Sequence, residues 1–95
     1  MNTIEQTAQF IEELNRRFSD YEFSCELGRK NARIVKADRG QRQVYCFVRI
    51  EDGAILKSAS WKTPAKGVRA WLSDVLASDL AGVDEFTGWL YRGRR

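Results

Sequence analysis

The fold is decided by the stretch Gln43-Val44-Tyr45-Cys46-Phe47-Val48-Arg49-Ile50-Glu51-Asp52-Gly53. Its β-branched and aromatic side chains favour a strand over residues 43–50. Because side chains alternate along a strand, one face is assigned to Val44, Cys46, Val48 and Ile50. The opposite face is assigned to Tyr45, Phe47 and Arg49. Asp52-Gly53 is a hairpin signal, so Ala54 to Ser58 is predicted to return as the next strand.

Two more strands are predicted ahead of this stretch. Apolar and polar residues alternate strictly from Tyr21 to Leu27, which is typical of a strand with one buried face. The turn-forming residues Gly28-Arg29-Lys30-Asn31 separate it from a second short strand over residues 32–37. The sequence therefore predicts a four-stranded meander.

Helices are predicted on both sides of this meander. Residues from about 4 to 18 have apolar side chains at helical spacing, and Thr3 with Gln6 has the form of a capping box. Thr63 and Pro64 are predicted to be the N-cap and first residue of a second helix. Its apolar face would comprise Val68, Trp71, Leu72, Val75 and Leu76. A short last helix, capped by Asp84, would carry Phe86, Trp89 and Leu90.

The predicted fold is α+β: an N-terminal helix, a four-stranded antiparallel meander and C-terminal helices, in the order α-β-β-β-β-α-α. The 95 residues are expected to form a single domain, 1–95, with residues 92–95 as a frayed tail. No apolar run reaches the ~20 residues of a membrane span, and residues 1–6 do not resemble a secretory signal. The expected location is therefore the cytoplasm.

Residue usage argues against several kinds of chemistry. The chain has no histidine, which is the commonest general base and metal ligand. Cys25 and Cys46 are expected to be reduced, small apolar residues, and a disulfide between them is the alternative. We therefore predict no catalytic residue, metal or cofactor, and a protein that works by binding. An enzyme that uses carboxylate or lysine chemistry is the alternative.

The charge is distributed unevenly along the chain. Residues 1–28 have a balance of −4, residues 29–69 of +8 and residues 70–95 of −1. Such a concentration of cations attracts polyanions, although it can equally be a solvated face that balances an acidic helix. The basic third of the chain is therefore the place where we look for a binding surface.

The segment Lys57–Arg69 is the most informative part of this basic third. If Pro64 begins a helix, Lys62, Lys66 and Arg69 line one side of its first turns, where the helix dipole disfavours cations and favours a phosphate. The predicted ligand-binding residues are Lys57, Ser60, Trp61, Lys62, Thr63, Lys66 and Arg69. A secondary basic surface is predicted from Arg29, Lys30, Arg33, Arg42 and Arg49.

The role of the aromatic residues near these cations is left open by the sequence. Trp61 either stacks on a base or packs against Val68 as a hydrophobic staple, and packing is preferred because such tryptophans usually belong to the core. Tyr45 and Phe47 either form a base-stacking platform or lie under a helix.

The quoted segments also resemble a known kind of protein. Gly28-Arg29-Lys30, Val44 to Val48 and above all Lys57-Ser58-Ala59-Ser60-Trp61-Lys62-Thr63-Pro64-Ala65-Lys66-Gly67-Val68-Arg69 resemble small bacteriophage-encoded proteins of unknown function, which share a K-x-A-x-W-K-x-P-A-K-x-x-R segment. The resemblance covers roughly residues 27–72. It implies a phage origin and a role in the host cytoplasm, directed at the host or at a genome.

Two functions follow as hypotheses. The first is a non-enzymatic accessory protein that binds a phosphate-rich ligand, most simply nucleic acid, through a surface made by the sheet and the helix N-terminus. The alternative is an anti-defence protein that sequesters a nucleotide signal or inhibits a host protein as a homo-oligomer. Its interface would comprise Phe86, Trp89, Leu90 and Tyr91, which could equally pack onto the chain's own core. No membrane partner is expected.

Overall fold

The computed structural model describes residues 2–92, so most of the predicted frayed tail lies outside the described residues. The elements in chain order are α1 Thr3–Arg17, β1 Glu22–Leu27, β2 Asn31–Asp38, β3 Gln41–Arg49, β4 Ala54–Ser58, β5 Pro64–Trp71, α2 Leu72–Ala77 and α3 Gly88–Arg92. The predicted α+β class is confirmed, with an N-terminal helix, an antiparallel sheet and short C-terminal helices. The sheet has five strands, so the prediction of four was wrong.

The N-cap of helix α1 lies one residue before the predicted cap. The Asn2 side chain accepts a hydrogen bond from the Glu5 backbone N–H at 2.8 Å, and the Glu5 carboxylate accepts one from the Asn2 N–H at 3.0 Å. These reciprocal bonds satisfy two backbone donors that a helix start leaves unpaired. The capping box is therefore Asn2 with Glu5, and the prediction of Thr3 with Gln6 was wrong.

All three helices contribute side chains to one hydrophobic core. The strands lie in the order β1-β2-β3-β4-β5, each antiparallel to its neighbour. One face of this sheet packs against the apolar helix residues Phe10, Leu14, Leu72, Val75, Trp89 and Leu90. None of the helices within residues 2–92 is long and apolar enough to cross a bilayer. Since the described helices all pack on one face, none of them covers the opposite face of the sheet, which is here called the open face.

The helix predicted from Pro64 is helical only over α2, and its first part, Pro64–Trp71, is an edge strand. β5 pairs with β4, with Ser58 opposite Pro64 and Ala54 opposite Trp71. Proline is tolerated as the first residue of an edge strand, where its missing N–H removes no ladder bond. Gly67 has a φ of +96°, in the left-handed region, and no helix continues through that conformation. The predicted N-cap at Thr63 and the basic stripe on a helix N-terminus were therefore wrong.

A bulge in β3 changes which side chains face the core. Ile34 pairs with Cys46 and Val35 pairs with Val44, so Tyr45 has no opposite residue. An extra residue of this kind reverses the alternation on one side of the bulge. Tyr45 consequently lies in the core beside Phe23, with ring centroids 5.2 Å apart, and does not share a face with Phe47.

The two cysteines lie on the core face without a bond between them. Both Cys25 and Cys46 pair with Ile34 of the intervening strand, and both are free thiols. Two strand spacings separate them by roughly 9–10 Å, beyond the ~7 Å limit for a disulfide. Burial raises the pKa of the Cys46 thiol. The expectation of small apolar residues is confirmed.

The buried hydroxyl of Tyr45 provides a test of the core. It donates to the Asp84 carbonyl and accepts a hydrogen bond from Trp89 Nε1 at 2.8 Å. Tyr45→Phe keeps the ring but leaves both groups without this partner, so we expect the free energy of unfolding to fall by about 1–3 kcal/mol. Urea denaturation measures this change. Tyr91→Phe, which removes an exposed hydroxyl, is the control and should change it by less than about 0.5 kcal/mol.

Candidate binding surface on the open face of the sheet

The open face has a small apolar floor of its own. Val35, Phe47, Ala54 and Leu56 are buried but do not belong to the core cluster under the helices. Phe47 and Leu56 are paired across β3 and β4, and Arg33 of β2 pairs with Phe47 on the other side. Arg33, Phe47 and Leu56 therefore form one row across the sheet, on the face opposite the helices.

The loop between β4 and β5 is held in a tight, internally bonded turn. The backbone N–H groups of Ala59 and Ser60 donate to the Thr63 carbonyl at 2.9 and 3.1 Å. The Ser60 hydroxyl oxygen accepts from the N–H groups of Lys62 and Thr63 at 3.3 and 3.2 Å. Ser60 and Thr63, predicted as ligand-binding residues, thus close the loop that presents Trp61 and Lys62.

Trp61 lies beside two arginines of the sheet. The guanidinium carbons of Arg33 and Arg42 lie 5.0 and 5.3 Å from its ring centroid. Arg33 Nε also donates to the Trp61 carbonyl at 2.8 Å, which ties the loop to the sheet. Trp61 is 39% exposed. The hydrophobic-staple interpretation was wrong, because no helix begins at Pro64.

Glu26 joins the two arginines. Its carboxylate oxygens accept from Arg33 Nη1 at 2.7 Å and from Arg42 Nη2 at 2.6 Å. These hydrogen bonds, that of Arg42 first, lower the pKa of the Glu26 carboxyl. The two cations near the Trp61 ring therefore share one anion.

Basic side chains surround two neighbouring depressions on this face. One, of about 260 Å³, is lined by Phe47 and Glu26 and by the cations Arg29, Lys30, Arg33 and Lys62. The other, of about 340 Å³, is lined by Leu56 and by Lys30, Arg49 and Lys66. We call this surface the basic face; it comprises Arg29, Lys30, Arg33, Arg49, Lys62 and Lys66.

The turn between β1 and β2 is anchored at the edge of the basic face. The Gly28 N–H donates to the Asn31 carbonyl at 2.9 Å, and the Ile50 N–H donates to the Lys30 carbonyl at 2.9 Å. The second bond attaches the turn to the end of β3. It thereby fixes the backbone of Lys30 between the two depressions.

The cations of the basic face fall into two groups. Arg33 is paired with Glu26, and Arg49 makes a two-point contact with Asp52, with N–O distances of 3.0 and 2.8 Å. Within the described part of the chain, no carboxylate forms an ion pair with the remaining four cations, Arg29, Lys30, Lys62 and Lys66. These four are available to an external anion.

Five of the seven predicted ligand-binding residues line neither depression: Lys57, Ser60, Trp61, Thr63 and Arg69. Lys57 belongs to the side of the sheet that faces α3, where its Nζ lies 4.2 Å from the Tyr91 ring centroid. Arg69 is the extra residue of a bulge, since Ile55 pairs with Ala70 and Leu56 pairs with Val68. Lys62, Lys66 and Arg69 would lie on one side of a helix, but residues 64–71 form a strand, so Arg69 is not grouped with the two lysines.

Sequence reasoning missed the role of Glu26, which is one of the polar residues that alternate along the first predicted strand. The turn Gly28–Asn31 carried the missing signal. A hairpin centred on Arg29 and Lys30 puts Glu26 directly opposite Arg33, and this is the observed register.

The predicted oligomer patch is divided by the fold. Trp89 and Leu90 are 6% and 0% exposed and belong to the core of their own chain. Phe86 and Tyr91 are exposed. The patch predicted as an interface is therefore reduced to these two aromatic residues.

Comparison with known proteins gives a family without an activity. Residues 1–92 match the family of unknown function DUF7717, and the chain belongs to this family. No curated protein and no solved structure matches the chain.

The lowered pKa of the Glu26 carboxyl can be tested by titration. We expect the Glu26 carboxyl carbon to titrate in NMR with a midpoint below 4.5, its ordinary value, and Arg42→Ala to raise that midpoint. Because the folded-state pKa is lowered, the carboxylate stabilises the fold above pH 4.5. That contribution is lost as the pH falls through the lowered pKa. Lys57→Ala, on the other side of the sheet, is the control and should leave the midpoint unchanged.

Proposed function

We propose that this member of DUF7717 is a non-enzymatic protein that binds a phosphate-rich ligand, nucleic acid, through the basic face. One observation carries the proposal: Arg29, Lys30, Lys62 and Lys66 surround adjoining depressions without an ion-pair partner among the described carboxylates. Like charges gathered on one surface repel each other, and an array of phosphates relieves that repulsion while releasing counterions.

The arrangement of acidic residues supports the same proposal. Helix α1 carries Glu5, Glu12 and Glu13 against Arg16 and Arg17, a balance of −1, and packs on the core side of the sheet. The sheet thus separates the acidic helix from the cations of the open face. A separation of this kind orients an approaching polyanion towards one surface.

The four cations do not share one role. Lys62 belongs to the bonded loop and Lys30 to the anchored turn, and both line the depression to which Phe47 also contributes. We assign phosphate contacts to these two lysines first. Lys66, in the other depression, and Arg29, in the same depression as Lys62, would contact further phosphates of the ligand. Arg33 and Arg49, already paired with carboxylates, contribute mainly to the shape of the surface.

The alternative of a nucleotide-sequestering or host-inhibiting oligomer has weaker support. Trp89 and Leu90, which were to form its interface, are buried in the core of the chain. A small nucleotide held with high affinity is normally enclosed on most sides, whereas the basic face is open. The resemblance to phage-encoded proteins supports action in the host cytoplasm, which we include in the proposal.

Charge reversal tests the basic face directly. We expect Lys62→Glu and Lys30→Glu each to weaken binding to DNA oligonucleotides, and each to reduce the slope of log affinity against log salt by about 1, since one phosphate contact is lost. Fluorescence anisotropy across a salt series measures both quantities. Lys57→Glu makes the same charge change on the other side of the sheet and should keep the original slope.

The control separates a specific surface from net charge. Equal weakening by Lys57→Glu and Lys62→Glu would mean that overall charge, and not the basic face, governs binding. Absence of measurable binding by the unaltered protein at low salt would refute the proposed function itself.

A further inference from the structure

We infer that the basic face takes single-stranded nucleic acid, with one base stacked on the ring of Trp61. This inference rests on the proposed function and deepens it. The observation that distinguishes it is the position of a partly exposed tryptophan, held in place by its own loop and by two arginines, next to unpaired lysines.

The Trp61 ring is positioned before any ligand arrives. Arg33 fixes the backbone of Trp61 through the 2.8 Å bond to its carbonyl, and the hydrogen bonds to Ser60 and Thr63 fix the loop on both sides. The arginines that lie near the ring are in turn held by Glu26. An aromatic surface held in this way loses little conformational entropy when a base stacks on it.

Phosphate contacts are available beside the ring. Lys62 follows Trp61 directly in the chain, and it lines the same depression as Arg29 and Lys30. Proteins that bind single strands combine a basic groove, which follows the sugar-phosphate backbone, with aromatic side chains on which bases stack. Both parts of that combination are present here, because Trp61 contacts Arg33 of the basic face.

The same geometry disfavours a duplex. The bases of a duplex are stacked on one another, so the Trp61 ring would have no base surface to contact. Reading a duplex commonly requires a helix or ribbon that enters the major groove. In the described part of the chain, α1 packs in the core and carries more acidic than basic residues, and α2 and α3 span only 6 and 5 residues. None of these helices is therefore suited to enter a major groove.

The test compares three ligands of equal length: an oligo-dT of about 12 nucleotides, within the range bound by single domains, an abasic strand with the same number of phosphates, and the duplex of oligo-dT with oligo-dA, which has twice as many. We expect the unaltered protein to bind oligo-dT more tightly than the duplex at equal salt. Trp61→Leu should weaken oligo-dT binding by about 5- to 150-fold, the range for one stacked base. It should leave binding to the abasic strand unchanged.

Two control variants complete the test. Trp61→Phe keeps an aromatic ring and should retain most of the affinity for oligo-dT. Trp71→Leu makes the same change at a tryptophan that is 40% exposed and lies at the end of β5 opposite the loop that carries Trp61, and it should have no effect. Circular dichroism confirms that each variant is folded.

The outcomes separate this inference from the proposed function. Equal weakening by Trp61→Leu on oligo-dT and on the abasic strand would overturn base stacking, because the ring would then act only by holding the loop. Tighter binding of the duplex would also overturn it. In both cases a normal response to Lys62→Glu would leave the proposed function standing, whereas failure to bind any of the strands would refute both.

Discussion

The bulge in β3 is the constraint on which both faces of the sheet depend. One extra residue, Tyr45, stands opposite the junction of Ile34 and Val35, and it reverses the side-chain alternation in the first half of the strand. Tyr45 therefore enters the core, while Arg42 comes to the open face, where it reaches Glu26. A regular strand would place Tyr45 on the open face and Arg42 on the core face. Tyr45 would then be missing from the core, and Arg42 would not reach Glu26.

The buried polar groups show how the core accommodates this arrangement. The Tyr45 hydroxyl bonds to the Asp84 carbonyl and to Trp89 Nε1, and Lys36 Nζ donates to the Glu85 carbonyl at 2.8 Å. Each of these polar groups would be costly to bury without a partner. Together they hold the segment before α3 against the core face, so the open face is left free for the basic residues.

The open face combines rigid parts with unpaired charge. Glu26 neutralises part of the charge of Arg33 and Arg42 and allows both to lie near Trp61. Lys30 and Lys62 extend from backbone turns that their own hydrogen bonds hold in place. A ligand with phosphates and exposed bases would meet charge and an aromatic surface already in position, which is the physical content of the function we propose.

Local sequence patterns were sufficient for α1 and for the first four strands, because apolar spacing and turn residues act over a few neighbouring positions. They also located the cations of the basic third of the chain. The tertiary structure alone decided the rest. Pro64–Trp71 has spacing compatible with a helix, and only pairing with β4 makes it a strand. Similarly, bulges decide where Tyr45 and Arg69 lie, and the covering helices decide that Lys57 is apart from Lys62. These outcomes depend on contacts between distant segments, which local periodicity does not encode.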